Sequence, residues 1–321
     1  MRIGLSLNED LPVGRQRAMA RDVEAAGLAS IWANDALGRD PFLLCQAWAD
    51  ETSTIQVGIG IVQMLTRTAV QYAKAAATLQ ELSGGRFLLG FGVSQPAAMR
   101  WHGIEIERPL AATRDMLALV AAITGGETTD HDGVLRSHGF RLQMSPLPPP
   151  VPLYLGAMRP KALALAGTSA DGVLLSWEGP EAVRHAAGVV RSAAAEAGRP
   201  APEIAAYVRI ALAHDREEAR TALARQVAGY WQFYAPHFEP QVPAASFAAA
   251  SSAYEQGGAD ALVSAVDDEI LTTLGWYGTP SDGLGDVLAR YEDAGVEHFI
   301  VRGVPVGDSI EWLGLLLRTL S

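Results

Sequence analysis

The stretch YLGAMRPKALALAG (Tyr154–Gly167) places chemistry at the end of an apolar run: the run stops at Gly156 and Ala157, and a helix begins near Pro160. Proline favours the first helical position. Free N–H groups there, with Met158, Arg159 and Lys161 beside them, make a pocket suited to an anion such as a phosphate. An ordinary turn with two solvated cations explains the same residues, and both readings stand. In LLSWEGPEAV (Leu174–Val183), Ser176 precedes a second helix started by a proline, Pro180, and a second set of amides could face the same phosphate. Trp177 either covers a planar ring or caps the core. VGIGIVQMLTR (Val57–Arg67) sets Gly58 and Gly60 in an apolar strand, which marks a bulge or a close backbone approach. A flat heterocycle needs such a shelf, here Gly60, Ile61 and Val62.

GRFLLGFGVS (Gly85–Ser94) is a strand that runs into Gly90, Gly92, Val93 and Ser94. The third glycine of a dinucleotide fingerprint falls on Gln95, and no acidic residue ends a following strand at the required distance, so the Rossmann reading is weak. A P-loop and a His-Glu-x-x-His pair are both missing, and the seven histidines are scattered, with His131 and His138 flanking an expected hairpin. Together these loops fit a large, phosphorylated, planar cofactor held without a metal.

The elements that position them alternate. EAAGLASIWAND (Glu24–Asp35), TSADGVLLSWEG (Thr168–Gly179) and EDAGVEHFIVRG (Glu292–Gly303) each read as a helix ending at a small residue and glycine, then a short apolar strand. Eight strands alternating with helices over 321 residues predict an α/β fold, a single (β/α)8 TIM barrel spanning 1–321. A hairpin insertion is expected near 130–150 and a helical insertion near 215–279. The aromatic run YWQFYAPHF (Tyr230–Phe238) in the second suggests a lid or a subunit contact. In a barrel, the loops after the strands build the site, which adds Asn8, Glu9, Asn34 and Asp35 to the candidates.

Composition narrows the class. The chain is 49% hydrophobic and 19% charged, enough to bury a large core. Its net charge of -11, without a Lys/Arg cluster, argues against nucleic acid. No apolar run approaches a membrane span, and the opening MRIGLSLNED enters a strand at once, so a cytoplasmic location is expected. The single cysteine, Cys45, has no partner for a disulfide and reads as a core residue.

In LQELSGGRFLLGFGVS (Leu79–Ser94), PLYLGAMRPKALALAGTSADGVLLS (Pro152–Ser176) and SAVDDEILTTLGWYGTPSDGLGDVLARYEDAGVEHFIV (Ser264–Val301), the sequence resembles the luciferase-like superfamily, and within it the coenzyme F420-dependent branch that includes methylenetetrahydromethanopterin reductase. The resemblance implies the luciferase-like type of barrel and a deazaflavin across the strand C-termini. It implies a non-prolyl cis peptide, Gly60-Ile61, behind the ring, with contacts from Asp35, Gly92 to Ser94, Gly156, Ala157 and Ser176. Hydride would pass between the deazaflavin and a small organic acceptor with a C=C, C=N or carbonyl group. Asp35 or Glu9, or a water held by Asn34 or Ser6, would manage the proton.

Two departures bear on this. Ala36 stands where the family commonly has a histidine, and Ser6 where the methanopterin reductases have an acidic residue. An FMN-dependent monooxygenase supplied by a partner reductase, and a flavin-binding barrel without turnover, are the alternatives. A homodimer is expected.

Overall fold

The computed structural model describes residues 1–7, 11–93 and 96–320. The chain runs β1 (Arg2–Ser6), α1 (Val13–Ala25), β2 (Ser30–Ala33), α2 (Pro41–Ala49), β3 (Gln56–Gln63), α3 (Ala69–Leu82), β4 (Phe87–Gly92), α4 (Pro96–Trp101), α5 (Pro109–Thr124), β5 (Asp130–Asp132) and β6 (Arg136–His138). It continues with β7 (Leu153–Gly156), α6 (Pro160–Ser169), β8 (Gly172–Ser176), α7 (Pro180–Glu196), β9 (Glu203–Leu212), α8 (Arg216–Phe238), α9 (Ala244–Ala265) and α10 (Asp268–Leu274). The last elements are β10 (Gly275–Gly278), α11 (Leu284–Asp293), β11 (His298–Gly303) and α12 (Ser309–Leu320). The main sheet has the order β10-β9-β11-β1-β2-β3-β4-β7-β8, and β9 also pairs with β8. Eight of its strands, with helices between them, have the order of a (β/α)8 barrel, and β10 is an added strand beside β9.

Packing divides the chain into two compact units, one of Ser6–Leu174 with Gly188–Ile204, the other of Met1–Leu5, Leu175–Ala187 and Ala205–Ser321.

In the first unit β2, β3, β4, β7 and β8 run parallel in sequence order. Their side chains are buried almost throughout, as strands covered on both faces require. Asp40 accepts the amides of Phe42 and Leu43 to start α2, and Thr68 accepts the amide of Gln71 to start α3.

The pairing of β3 with β4 shifts register between Ile59 and Val62, a β-bulge. A Cβ on Gly90 would stand 1.7 Å from the Gly60 carbonyl oxygen, so this close approach admits only glycine. The Gly60-Ile61 peptide itself is trans, contrary to the expected cis bond; the one cis peptide among the described residues joins Ser145 to Pro146. The extra residue of the bulge supplies the bend that a cis bond would otherwise make.

At the opposite ends of these strands two charged side chains bind main chain. Glu24 accepts the amides of Ser53, Thr54 and Ile55 at 2.9, 2.7 and 3.1 Å. These bonds hold its carboxyl down at about 2, against the desolvation that would raise it. Arg86 donates to the carbonyls of Ser83, Ile55, Ala49 and Thr52 at 2.7, 2.6, 3.2 and 2.9 Å.

In the second unit β9 pairs in parallel with β10 and with β11. Helices α8, α9 and α10 pack an apolar cluster that includes Trp177, Trp231, Phe238 and Leu271. The region near 215–279 holds these three helices and ends in the strand β10. Its four residues are fully buried against β9, and nothing in GWYG alternates to announce a strand. In the first unit β5 and β6 pair antiparallel, and no helix was expected at α4.

Candidate active site

In the first unit, the end of β2 carries Asn34 and Asp35 up to the bulge. Asn34 donates its amide to Ser6 Oγ at 2.9 Å. Asp35 Oδ2 accepts the Gln63 main-chain N–H at 3.0 Å, the Asp35 carbonyl accepts Gln63 Nε2 at 3.3 Å, and the Asp35 N–H donates to the Ile61 carbonyl at 3.2 Å. Burial raises the Asp35 carboxyl above the ordinary carboxylate range, with the charge of Asp40 adding to the shift; the Gln63 amide, Arg67 and His102 oppose it. Tyr72 donates to the Gln63 carbonyl at 2.8 Å and exchanges a hydrogen bond with Thr66. Burial pushes its phenol up to about 12, so it acts there as a neutral donor.

The bulge holds Gly60 and Val62 buried and leaves Ile61 partly exposed, a single apolar side chain standing out from a buried strand. Gly92 and Gly156 lie against it, since a Cβ on either would come within 3.1 or 2.8 Å of Ile61. Val93 follows at the end of β4, and Ala157, buried, donates its amide to the Leu174 carbonyl at 3.3 Å. Met158 is partly exposed, while Arg159 and Lys161 are exposed at the start of α6, with no carboxylate partner among the described residues. Structure thus gathers Ser6, Asn34, Asp35, Gly60, Ile61, Val62, Gly92 and Gly156 into one unit. Asn8, Glu9, Ser94 and Gln95 lie outside the described residues.

In the second unit, the loop after β8 carries Ser176, Trp177 and Glu178. Trp177 has a φ of 61°, the one non-glycine left-handed residue among those described. Such a backbone for a bulky residue costs of order 1–3 kcal/mol and persists only where its surroundings hold it. Gln241 supplies that hold, donating to the Trp177 and His237 carbonyls at 3.0 Å each and accepting the Gly179 amide at 2.9 Å. Tyr291 donates to the Glu178 carbonyl, and the buried Glu178 carboxylate lies 3.1 Å from His237 Nε2.

The indole of Trp177 is 1% exposed, with Tyr230, Tyr234 and Phe238 around it and the Arg209 guanidinium 3.7 Å over its ring. Of its two readings, core capping describes its placement. Trp231 is buried in the same cluster and Phe233 is exposed. Ser176 Oγ accepts from Arg209 Nη1 at 2.7 Å. Sequence reasoning missed Arg209, Gln63, Tyr72 and the Glu178–His237 pair. Arg209 alone left a signal, a charge inside the run IAAYVRIAL of β9.

No group of three or more His, Cys, Asp or Glu that could hold a metal occurs among the described residues, and no described helix is long and apolar enough to cross a membrane.

The chain is 30% identical over 318 residues to a 5,10-methylenetetrahydromethanopterin reductase of Methanolobus tindarius, covering 97% of this chain and 96% of the relative. A reductase of the same name from Archaeoglobus fulgidus is 27% identical over 318 residues, covering 96% and 94%. Among solved structures, the coenzyme F420-dependent tetrahydromethanopterin reductase of Methanopyrus kandleri superposes with a TM-score of 0.80 at 23% identity, covering 99% of this chain and 97% of that one. An FMN-bound component of 3,6-diketocamphane monooxygenase from Pseudomonas putida superposes at 0.72 and 17% identity, covering 100% and 97%, so the barrel is shared across both cofactor classes. The family described as luciferase-like monooxygenase matches residues 1–298, and the chain belongs to it.

Proposed function

We propose that the protein is a coenzyme F420-dependent oxidoreductase that moves a hydride between the deazaflavin and a small organic acceptor. The observation that carries the reading is the glycine-walled bulge, which presents Ile61 beside the desolvated Asp35. The residues present fit the group: side chains at Gly92 or Gly156 would crowd the Ile61 seat, and Gly60, Ile61 and Val62 offer a backbone shelf for one ring face. Arg159 and the first amides of α6 would take the phosphate, with Ala157 and Met158 beside them. Two sequence relatives matched over nearly the whole chain are named reductases, whereas the likeness to the FMN-bound monooxygenase component, at 17% identity, is one of fold.

When bound, the deazaflavin supplies the hydride donor or acceptor. Asp35 holds or delivers the proton that accompanies it, and its raised carboxyl suits that task. Asn34, tied to Ser6, keeps an amide next to that carboxyl in sequence, and Tyr72 with Gln63 fixes the loop on which Asp35 depends. The same reading includes a cytoplasmic homodimer. On α2 and α3, Leu43 is 67% and Leu82 49% exposed beside Phe42 and Leu79, an apolar face that light scattering at micromolar concentration would find covered.

The test is titration with F420 and, separately, FMN, followed by quenching of tryptophan fluorescence. Micromolar or tighter F420 binding, with FMN weaker by at least about tenfold, supports the reading. The reverse preference sinks it and favours the monooxygenase.

A further inference from the structure

Arg209 is a buried cation. It is 7% exposed, stands in the middle of β9, and among the described residues forms no ion pair. Its hydrogen bonds all leave from one nitrogen: Nη1 donates to Ser176 Oγ at 2.7 Å and to the Tyr207 carbonyl at 3.4 Å. Nε is buried and unpartnered, and Nη2 makes no hydrogen bond to a described residue. Buried polar groups are almost always satisfied, and a buried charge without a counter-charge is costlier still. The titratable groups that act on Arg209 are the phenols of Tyr230, Tyr234 and Tyr291 and a second cation, Arg302, opposite it in the β9–β11 register. Burial, with the charge of Arg302 adding to it, brings the guanidinium down to about 10, still cationic at neutral pH.

The free edge has a definite shape. Nε and Nη2 carry two parallel N–H bonds in one plane, the side-on fork that meets both oxygens of a carboxylate. Trp177 covers one face of the guanidinium at 3.7 Å. An anion coplanar with the fork avoids the indole, whereas a tetrahedral phosphate would turn an oxygen toward its apolar ring.

We propose that Arg209, steadied by Ser176 and Trp177, anchors the carboxylate of a small-molecule ligand of the second unit, a site testable without cofactor.

Wild-type protein is titrated with sodium benzoate, sodium succinate and inorganic phosphate at constant ionic strength, with chloride as control, following tryptophan fluorescence and thermal shift. The same is done for R209K, R209M and S176A. Saturable carboxylate binding is expected in the millimolar range, weakened about tenfold or more in R209K and lost in R209M, because lysine cannot reproduce the fork. S176A, which keeps the charge, is expected to weaken it about threefold to tenfold and serves if the Arg209 variants do not fold. Equal carboxylate binding in wild type and R209M, or none in wild type, overturns the proposal. Phosphate saturating where carboxylates do not, together with F420 binding that weakens in R209K, also overturns it and gives the edge to the cofactor's phosphate. Failure of wild-type protein to bind F420 would strike the oxidoreductase reading alone, since the carboxylate titration stands without it.

Discussion

Asp35 and Gln63 grip each other twice, the carboxylate taking the Gln63 main-chain N–H at 3.0 Å and the Asp35 carbonyl taking the Gln63 side-chain amide at 3.3 Å. That grip ties the tip of β2 to the strand that carries the bulge.

Its first consequence concerns pH. Asp35 has a folded-state carboxyl raised above its unfolded value, so the stability it contributes is present below the ordinary carboxylate range and lost as pH rises through the raised value. D35N removes that penalty. In thermal melts across pH, the variant is expected to gain on the wild type as pH rises through and above the ordinary range, then level off. A difference that shrinks with rising pH would contradict the assigned direction.

The bulge supplies a sharper test. A Cβ on Gly90 would meet the Gly60 carbonyl oxygen at 1.7 Å, whereas one on Gly188, exposed in α7, would meet nothing within 4 Å. G90A is expected to cost about 2 kcal/mol or more in urea unfolding and to weaken F420 binding. G188A is expected to stabilise by about 0.5–1 kcal/mol through helix propensity. Similar effects of the two changes would mean that the shelf is not rigid.

Glu24 predicts acid sensitivity of opposite sign to Asp35. Its carboxyl is held at about 2 in the folded chain, below the ordinary 4.5. The stability it contributes is therefore present above about pH 4.5 and lost as pH falls toward 2. E24Q should cost about 1–2 kcal/mol at neutral pH, after discounting for a partly solvated group, and nothing near pH 2. Chemical unfolding of both proteins at several pH values reads this directly.

Glu178 and His237 should behave as one unit. E178Q and H237Q each leave a buried partner behind, and the double-mutant cycle is expected to return a coupling of about 1–3 kcal/mol. Additive single effects would reduce the pair to packing.

The barrel was legible because helix and strand signals alternate so regularly: β2, β4, β8 and β11 fall within Glu24–Asp35, Gly85–Ser94, Thr168–Gly179 and Glu292–Gly303, each read as carrying a short apolar strand. The glycines of the shelf were legible for the same reason, since Gly58, Gly60, Gly90 and Gly92 interrupt apolar strands. What escaped was set by contacts far apart in the chain. Trp177 looks in sequence like a ring cover, and only the placement of Arg209 and Gln241, 32 and 64 residues on, commits it to the core. The two glycines of β3 were read as a bulge or a close backbone approach, and β3 has the bulge; its trans peptide depends on the pairing with β4 and was not written in its own residues. Likewise β10 is a strand because β9 lends it an edge, not because GWYG prefers one.

Glu24 and Arg86 hold the segment from Ala49 to Ile55 almost wholly by its main chain, one through amides and the other through carbonyls. A segment gripped in this way is indifferent to most of its own side chains and strict about its length. Substitutions at Asp50, Glu51 or Ser53 leave both grips in place. One inserted or deleted residue would move the carbonyls off Arg86 and the amides off Glu24 together. Drift in spelling with no drift in spacing is the pattern that such clamps impose.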